Sequence, residues 1–133
     1  MSSGTRVGLS LVKIAALYLM VGLALGLGMA VGRDFSLVAV HSHVLLLGWA
    51  TLGITGIVYL VLPRCAGTRL AAGHFWLHNL GLPVMMVSLA AETLGERRAE
   101  PLVGVGSILV VVGLALFTLN VLLNARPSDA VDA

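Results

Sequence analysis

Four long apolar stretches occupy most of this chain, at residues 8–32, 37–63, 73–94 and 101–125. A helix that crosses a bilayer needs about 20 mostly apolar residues, and each stretch has that length. Only short polar segments separate the stretches, so each helix must return beside the one before it. The sequence therefore predicts an all-α integral membrane protein, with residues 1–133 forming a single transmembrane domain folded as a four-helix up-down bundle.

The composition excludes the other broad classes of protein. Charged residues make up 11% of the chain and hydrophobic residues 59%, whereas a soluble domain carries about 25% charged residues. Disorder requires low hydrophobicity, and a net charge of +2 is too small to indicate nucleic-acid binding. The single cysteine, Cys65, excludes an intrachain disulfide and any zinc or iron–sulfur site built from several thiolates.

Loop charges and glycines predict how the helices are arranged. Lysine and arginine favour the cytoplasmic side of a membrane, and one side of the predicted bundle has five of them, whereas the other has Arg33, Arg97 and Arg98. We therefore expect both termini in the cytoplasm and the inner membrane of a prokaryote as the location. Glycines in the first, second and fourth spans let helices approach closely, which indicates tight packing and a homo-oligomer. The surrounding lipid bilayer is the other expected partner.

Two histidines begin the second span, and an ionisable residue inside a membrane is a functional hypothesis by default. His41 and His43 are two residues apart, so on a helix their rings point to opposite faces, about 200° apart. Such a pair suits two sites, and imidazole is a common axial ligand of heme iron. The alternative is interfacial hydrogen bonding to lipid headgroups or to neighbouring carbonyls.

Two further histidines begin the third span. His74 and His78 are four residues apart and share one helix face, with Met85 seven residues further on, a set that could bind a soft metal such as copper. The sequence favours a different interpretation, interfacial anchoring or capping, because both histidines lie near a predicted helix start beside Phe75 and Trp76. The two histidine pairs are expected at opposite ends of the bundle and cannot share one site.

The second span, HSHVLLLGWATLGITGIVYLVLPR, resembles the tenth transmembrane helix of subunit I of the heme-copper oxidases, especially the cbb-type enzymes and their nitric oxide reductase relatives. His41 and His43 match the His-x-His that opens that helix, and Tyr59 and Pro63 match the residues that close it. The third span, opening GHFWLHNLGLP, resembles the eleventh helix of the family. The resemblance covers roughly residues 10–125, as the last four helices of subunit I.

The resemblance implies a membrane protein that binds heme b without covalent attachment, used for electron transfer or for heme-based redox or gas sensing. His41 and His43 would bind heme iron. Arg97 and Arg98 match an arginine pair that holds heme propionates in the family, and Arg33 is a further candidate. A C-x-x-C-H motif is absent, so c-type attachment is excluded.

The departures from the family limit what this chain alone could do. The helices that carry the three copper-binding histidines of the family are missing, so the chain has no complete site for reducing oxygen or nitric oxide. The histidine that completes low-spin heme coordination in the family is missing too. We therefore expect the heme between protomers of a homo-oligomer, a trimer rather than a dimer, with a redox protein as a further partner. The alternatives are a cofactor-free structural or assembly subunit of a respiratory complex, or a copper-binding membrane protein using His74 and His78.

Overall fold

A computed structural model of the chain describes residues 3–126. The elements follow in order as α1 (Ser3–Gly32), α2 (Val38–His43), a π-helical segment (Val44–Thr51), α3 (Leu52–Val61), α4 (Pro63–Ala66), α5 (Arg69–Thr93), a 3₁₀ turn (Arg97–Ala99) and α6 (Glu100–Asn124). The residues described contain no strand. The prediction of an all-α protein is confirmed.

Three helical stretches are long and apolar enough to cross a membrane, namely Gly4–Gly32, Val38–Val61 and Arg97–Asn124. The second of these runs continuously through α2, the π-helical segment and α3. Helix α5 has 25 residues, but its buried face includes the polar residues His74, His78 and Ser88. The length and apolar composition of these three helical stretches support the expectation of an integral membrane protein.

Local chemistry ends and restarts the helices. Arg33, directly after α1, has a φ of 51°, a left-handed conformation that stops the helix. Thr68 caps α5, because its hydroxyl accepts a hydrogen bond from the Ala71 N–H at 3.0 Å. Pro63 and Pro101 stand in the first turns of α4 and α6, where a missing N–H costs nothing. These signals place the breaks close to the ends of the predicted spans.

The helices pack mainly as two antiparallel pairs, α1 against the stretch α2 to α3, and α5 against α6. Glycines bring the backbones together in both pairs. A Cβ atom added at Gly8 would lie 2.9 Å from the Gly56 carbonyl oxygen, and one added at Gly81 would lie 2.9 Å from the Gly106 carbonyl oxygen. The tight packing expected from the glycine content is therefore observed within each pair.

Polar side chains share the interior with apolar ones where the two pairs meet. Leu11, Leu52 and Leu82 are fully buried there. His74, His78 and Asn120 are also 0% exposed. A buried polar group needs hydrogen-bond partners, so the stability of this part of the core depends on the hydrogen bonds of these three side chains.

Candidate functional site

The helix order brings the predicted heme-site residues to one end of the molecule. Helices α1 and α5 end there, and α2 and α6 begin there. Val40, early in α2, and Ala90, late in α5, line one cavity together, which shows that these helix ends are neighbours. We call it the arginine end, because it carries Arg33, Arg97 and Arg98. All three arginines are exposed, and none forms an ion pair with a residue in the described range 3–126.

His41 packs into a groove on α1. Its Nδ1–H donates to the Gly22 carbonyl oxygen at 2.9 Å. The ring lies against Gly26, where an added Cβ atom would be 2.8 Å from the His41 Cε1 atom. Gly26 therefore leaves room for the imidazole ring, and the Gly22 carbonyl oxygen holds it by a hydrogen bond.

His43 makes a different contact. Its Nδ1–H donates to the Ala39 carbonyl oxygen, one turn earlier in the same helix, at 2.8 Å. A carbonyl oxygen can only accept, so in both His41 and His43 the proton is on Nδ1 and the lone pair is on Nε2. Neither Nε2 atom has a hydrogen-bond partner among the residues described. An Nδ1–H held by a carbonyl, with Nε2 left to bind, is the usual second-shell arrangement of a metal-binding histidine.

A cavity of about 480 Å³ lies beside the last turns of α1 at the arginine end. Its walls are mostly apolar, formed by Val21, Ala24, Leu25, Gly28, Met29 and Leu37, with Asp34 and Ser36 among them. The backbone N–H of Ser36 donates to an Asp34 carboxylate oxygen at 3.0 Å. This bond, with the Ser36 hydroxyl as a second cause, lowers the pKa of Asp34. A negative charge therefore stays beside Arg33 at neutral pH.

The other two histidines lie inside the fold. The Tyr59 hydroxyl is 3.2 Å from His74 Nδ1, and His78 Nε2–H donates to the Leu47 carbonyl oxygen at 3.1 Å. The His74 and His78 ring centroids are 5.6 Å apart, with an angle of 83° between the rings. The Phe117 ring packs against Tyr59 and His74, with centroids 5.5 and 5.3 Å away. We call Tyr59, His74, His78 and Phe117 the buried histidine cluster.

The interpretation of His74 and His78 as interfacial anchors is wrong. Both side chains are fully buried. The Thr68 cap starts α5 at Arg69 rather than at the predicted residue 73, so the histidines fall in the second and third turns. Their shared face meets the second helical stretch, not lipid headgroups.

Asn120 is a buried polar residue that the sequence analysis did not single out. Its Nδ2–H donates to the Cys65 carbonyl oxygen at 2.8 Å, and its Oδ1 accepts from the Thr68 hydroxyl at 3.0 Å and from Asn124 Nδ2 at 2.9 Å. It thereby joins α6 to α4 and to the start of α5. The available signal was an amide residue within an apolar span, which carries a desolvation cost like that of the histidines.

Two ring nitrogens of the buried histidine cluster, His74 Nε2 and His78 Nδ1, have no hydrogen-bond partner within residues 3–126. Met85 does not complete this set, since seven residues beyond His78 correspond to about 10.5 Å of helix rise. Within residues 3–126 no group of three or more His, Cys, Asp and Glu side chains could hold a metal ion. The pair is therefore a two-nitrogen arrangement.

The chain was compared with protein-family models, with curated proteins and with solved structures, and no match was found.

Proposed function

We propose that this protein is a membrane cytochrome that binds heme b without a covalent link at the arginine end, with His43 and His41 as iron ligands. Its function would be electron transfer, and heme-based redox or gas sensing would use the same site. The observation that carries the proposal is the bond from His43 Nδ1–H to the Ala39 carbonyl oxygen. It fixes the tautomer with an unprotonated Nε2, on a ring that the fold only partly buries.

His41 fits the same role from a more enclosed position, with its Nδ1–H held by Gly22. The two rings are two residues apart on one helix, so neither can complete the coordination of an iron bound by the other. We infer that the second ligand comes from another copy of the chain. In a homotrimer, His43 of one protomer would face His41 of the next, whereas a twofold dimer would pair the same histidine twice.

Open glycines at the arginine end support contact between protomers. Gly28 and Gly32 near the end of α1, and Gly104 near the start of α6, have no atom within 4 Å of an added Cβ position. Other glycines pack the two helix pairs, such as Gly26 against His41 and Gly106 against Met85. Small residues on an open helix face let another helix approach closely.

The heme propionates would be bound by Arg97 and Arg98 through charge-assisted hydrogen bonds. Arg33 is the third candidate. Each arginine site has a carboxylate beside it in the sequence, Asp34 at Arg33 and Glu96 and Glu100 at the arginine pair. The exposure of all three arginines leaves them available for an anionic group.

We further propose that the chain is a four-helix up-down bundle in the inner membrane of a prokaryote, with both termini in the cytoplasm and the arginine end outward. The loop charges support this orientation. When bound, heme b supplies reversible one-electron transfer. Coordination by two histidines leaves no open position on the iron, which favours exchange of electrons with a redox partner over ligand binding.

The test is an optical spectrum, oxidised and reduced, of protein purified with added heme. We expect a Soret band and the spectrum of low-spin iron with two histidine ligands. A preparation with no Soret band would contradict the proposal and favour a cofactor-free structural or assembly subunit. Mass measurement in detergent with heme quantification tests the interface, and a monodisperse monomer holding one low-spin heme per chain would contradict it.

A further inference from the structure

The buried histidine cluster contains two unpartnered ring nitrogens that the proposed heme site does not use. His74 Nε2 and His78 Nδ1 belong to side chains that are 0% exposed, on successive turns of α5. A buried polar atom without a partner is destabilising. The two rings are neighbours, with centroids 5.6 Å apart, so these two nitrogens are the candidates for one shared ligand.

The hydrogen bonds at the other ring nitrogens define what that ligand can be. His78 donates Nε2–H to the Leu47 carbonyl oxygen, so its Nδ1 carries a lone pair. His74 can donate Nδ1–H to the Tyr59 hydroxyl oxygen, which leaves a lone pair on Nε2 as well. Each ring is then held by an oxygen on one side and offers a lone pair on the other, as metal-binding histidines do.

We propose that His74 Nε2 and His78 Nδ1 bind one monovalent copper ion in the interior of the bundle. Two lone pairs are sufficient for a cation that accepts two ligands. One water molecule that donates both O–H groups is the other occupant they would fit, and the copper titration below distinguishes the two. A divalent ion would leave more uncompensated charge in the membrane interior, because the described residues supply no set of three ligands with carboxylates or thiolates. Imidazole is a suitable copper ligand.

The experiment titrates the purified full-length protein in detergent with Cu(I), without oxygen, against a coloured Cu(I) chelator. We expect one ion per chain. In the His78→Gln variant the amide can still donate to Leu47, yet copper should be lost, and His74→Gln should behave alike. Copper binding by the His74→Gln/His78→Gln double variant, or no copper binding by the unaltered protein, would overturn the proposal.

Matched controls separate this site from other copper ligands and from the heme site. The His41→Ala/His43→Ala double variant and Cys65→Ser should each retain one Cu(I) per chain. Tyr59→Phe should weaken Cu(I) binding by about 10–100-fold, because it removes the second-shell oxygen while keeping the ring. X-ray absorption of the copper-loaded, unaltered protein should detect nitrogen ligands alone. A sulfur ligand, or tighter binding of Zn²⁺ than of Cu(I), would contradict the assignment.

Discussion

The two histidine pairs of this protein contain the same chemical group in opposite settings. His41 and His43 stand near the arginine end, each held by a backbone carbonyl within its own helix pair and only partly buried. His74 and His78 are fully buried where the two helix pairs meet. A spacing of two residues makes the first pair diverge, whereas a spacing of four makes the second pair share one face. In the functions proposed above, the first pair binds heme shared with another protomer, while the second pair binds an ion within one chain.

The most direct way to break this comparison is to replace His43, the less enclosed of the two proposed heme ligands. His43→Ala should abolish the low-spin heme spectrum, because the variant lacks the Nε2 atom that the fold leaves open. The measurement is the Soret absorbance per chain after reconstitution. His74→Ala is the matched control and should leave the heme content per folded chain unchanged. An unchanged spectrum in both His43→Ala and His41→Ala would reject the heme assignment.

The second prediction concerns the polar support of the buried pair. Asn120→Ala removes three hydrogen bonds at the junction of α4, α5 and α6. Hydrogen bonds between membrane helices contribute about 0.6 kcal/mol each, so the free energy of unfolding should fall by about 2 kcal/mol. Unfolding in detergent, followed by circular dichroism, measures the loss. Asn124→Ala, a control that removes fewer bonds, should cost less, and equal costs would contradict the role given to Asn120.

Glycine substitutions sharpen the distinction between packed and open surfaces. Gly81→Ala should destabilise the α5–α6 pair by about 1–3 kcal/mol, because the new methyl group would lie 2.9 Å from the Gly106 carbonyl oxygen. Gly28→Ala is the matched control, since it meets no atom within 4 Å. Thermal unfolding compares the two. If Gly28→Ala destabilised the protein as much as Gly81→Ala, the face of α1 that carries Gly28 would be packed against the same chain, and the open surface described for it would be wrong.

The smallest expected effect concerns Asp34 at the arginine end. Its folded-state pKa lies below the ordinary value of 3.8, chiefly because the Ser36 N–H donates to its carboxylate. The stabilisation is therefore present above the ordinary value and is lost as the pH falls through the folded-state pKa. Titration of the Asp34 carboxyl by NMR checks the direction. Ser36→Ala should raise the pKa slightly, because the backbone donor remains, and a carboxyl titrating above 3.8 in the unaltered protein would contradict the bond.

The sequence predicted the positions of the helices well, because long apolar runs identify them. Among the described residues three helical stretches are long and apolar enough to cross a membrane, and α5, the third predicted span, is not one of them. The third span is the instructive error: hydropathy started it at residue 73, but α5 starts at Arg69. Arg69 lowers the mean hydropathy of the segment, so the predicted span started after it, whereas the Thr68 cap allows the helix to begin at Arg69. The four additional residues, 69–72, move His74 and His78 from the first two predicted turns of the helix to its second and third turns.

The side-chain surroundings could be predicted only in part. The opposed directions of His41 and His43 follow from spacing, and their contacts with carbonyls correspond to one of the two interpretations stated for them. The burial of the other pair did not follow from the sequence, because α5 has apolar residues on every side and its inward face is chosen by packing. The π-helical segment and the role of Asn120 also depend on contacts between helices distant in the sequence.

The π-helical segment Val44–Thr51 separates His41 and His43 from Tyr59 on one continuous helical stretch. A turn closed by i to i+5 hydrogen bonds holds roughly one residue more than an α-helical turn, and each residue advances the helix by about 100°. The segment thus sets the rotational phase between the two ends of the stretch. If the segment became α-helical with all its residues kept, the extra residue would turn one end of the stretch relative to the other by about 100°. His41 could then stay on the α1 groove only if Tyr59 turned away from His74.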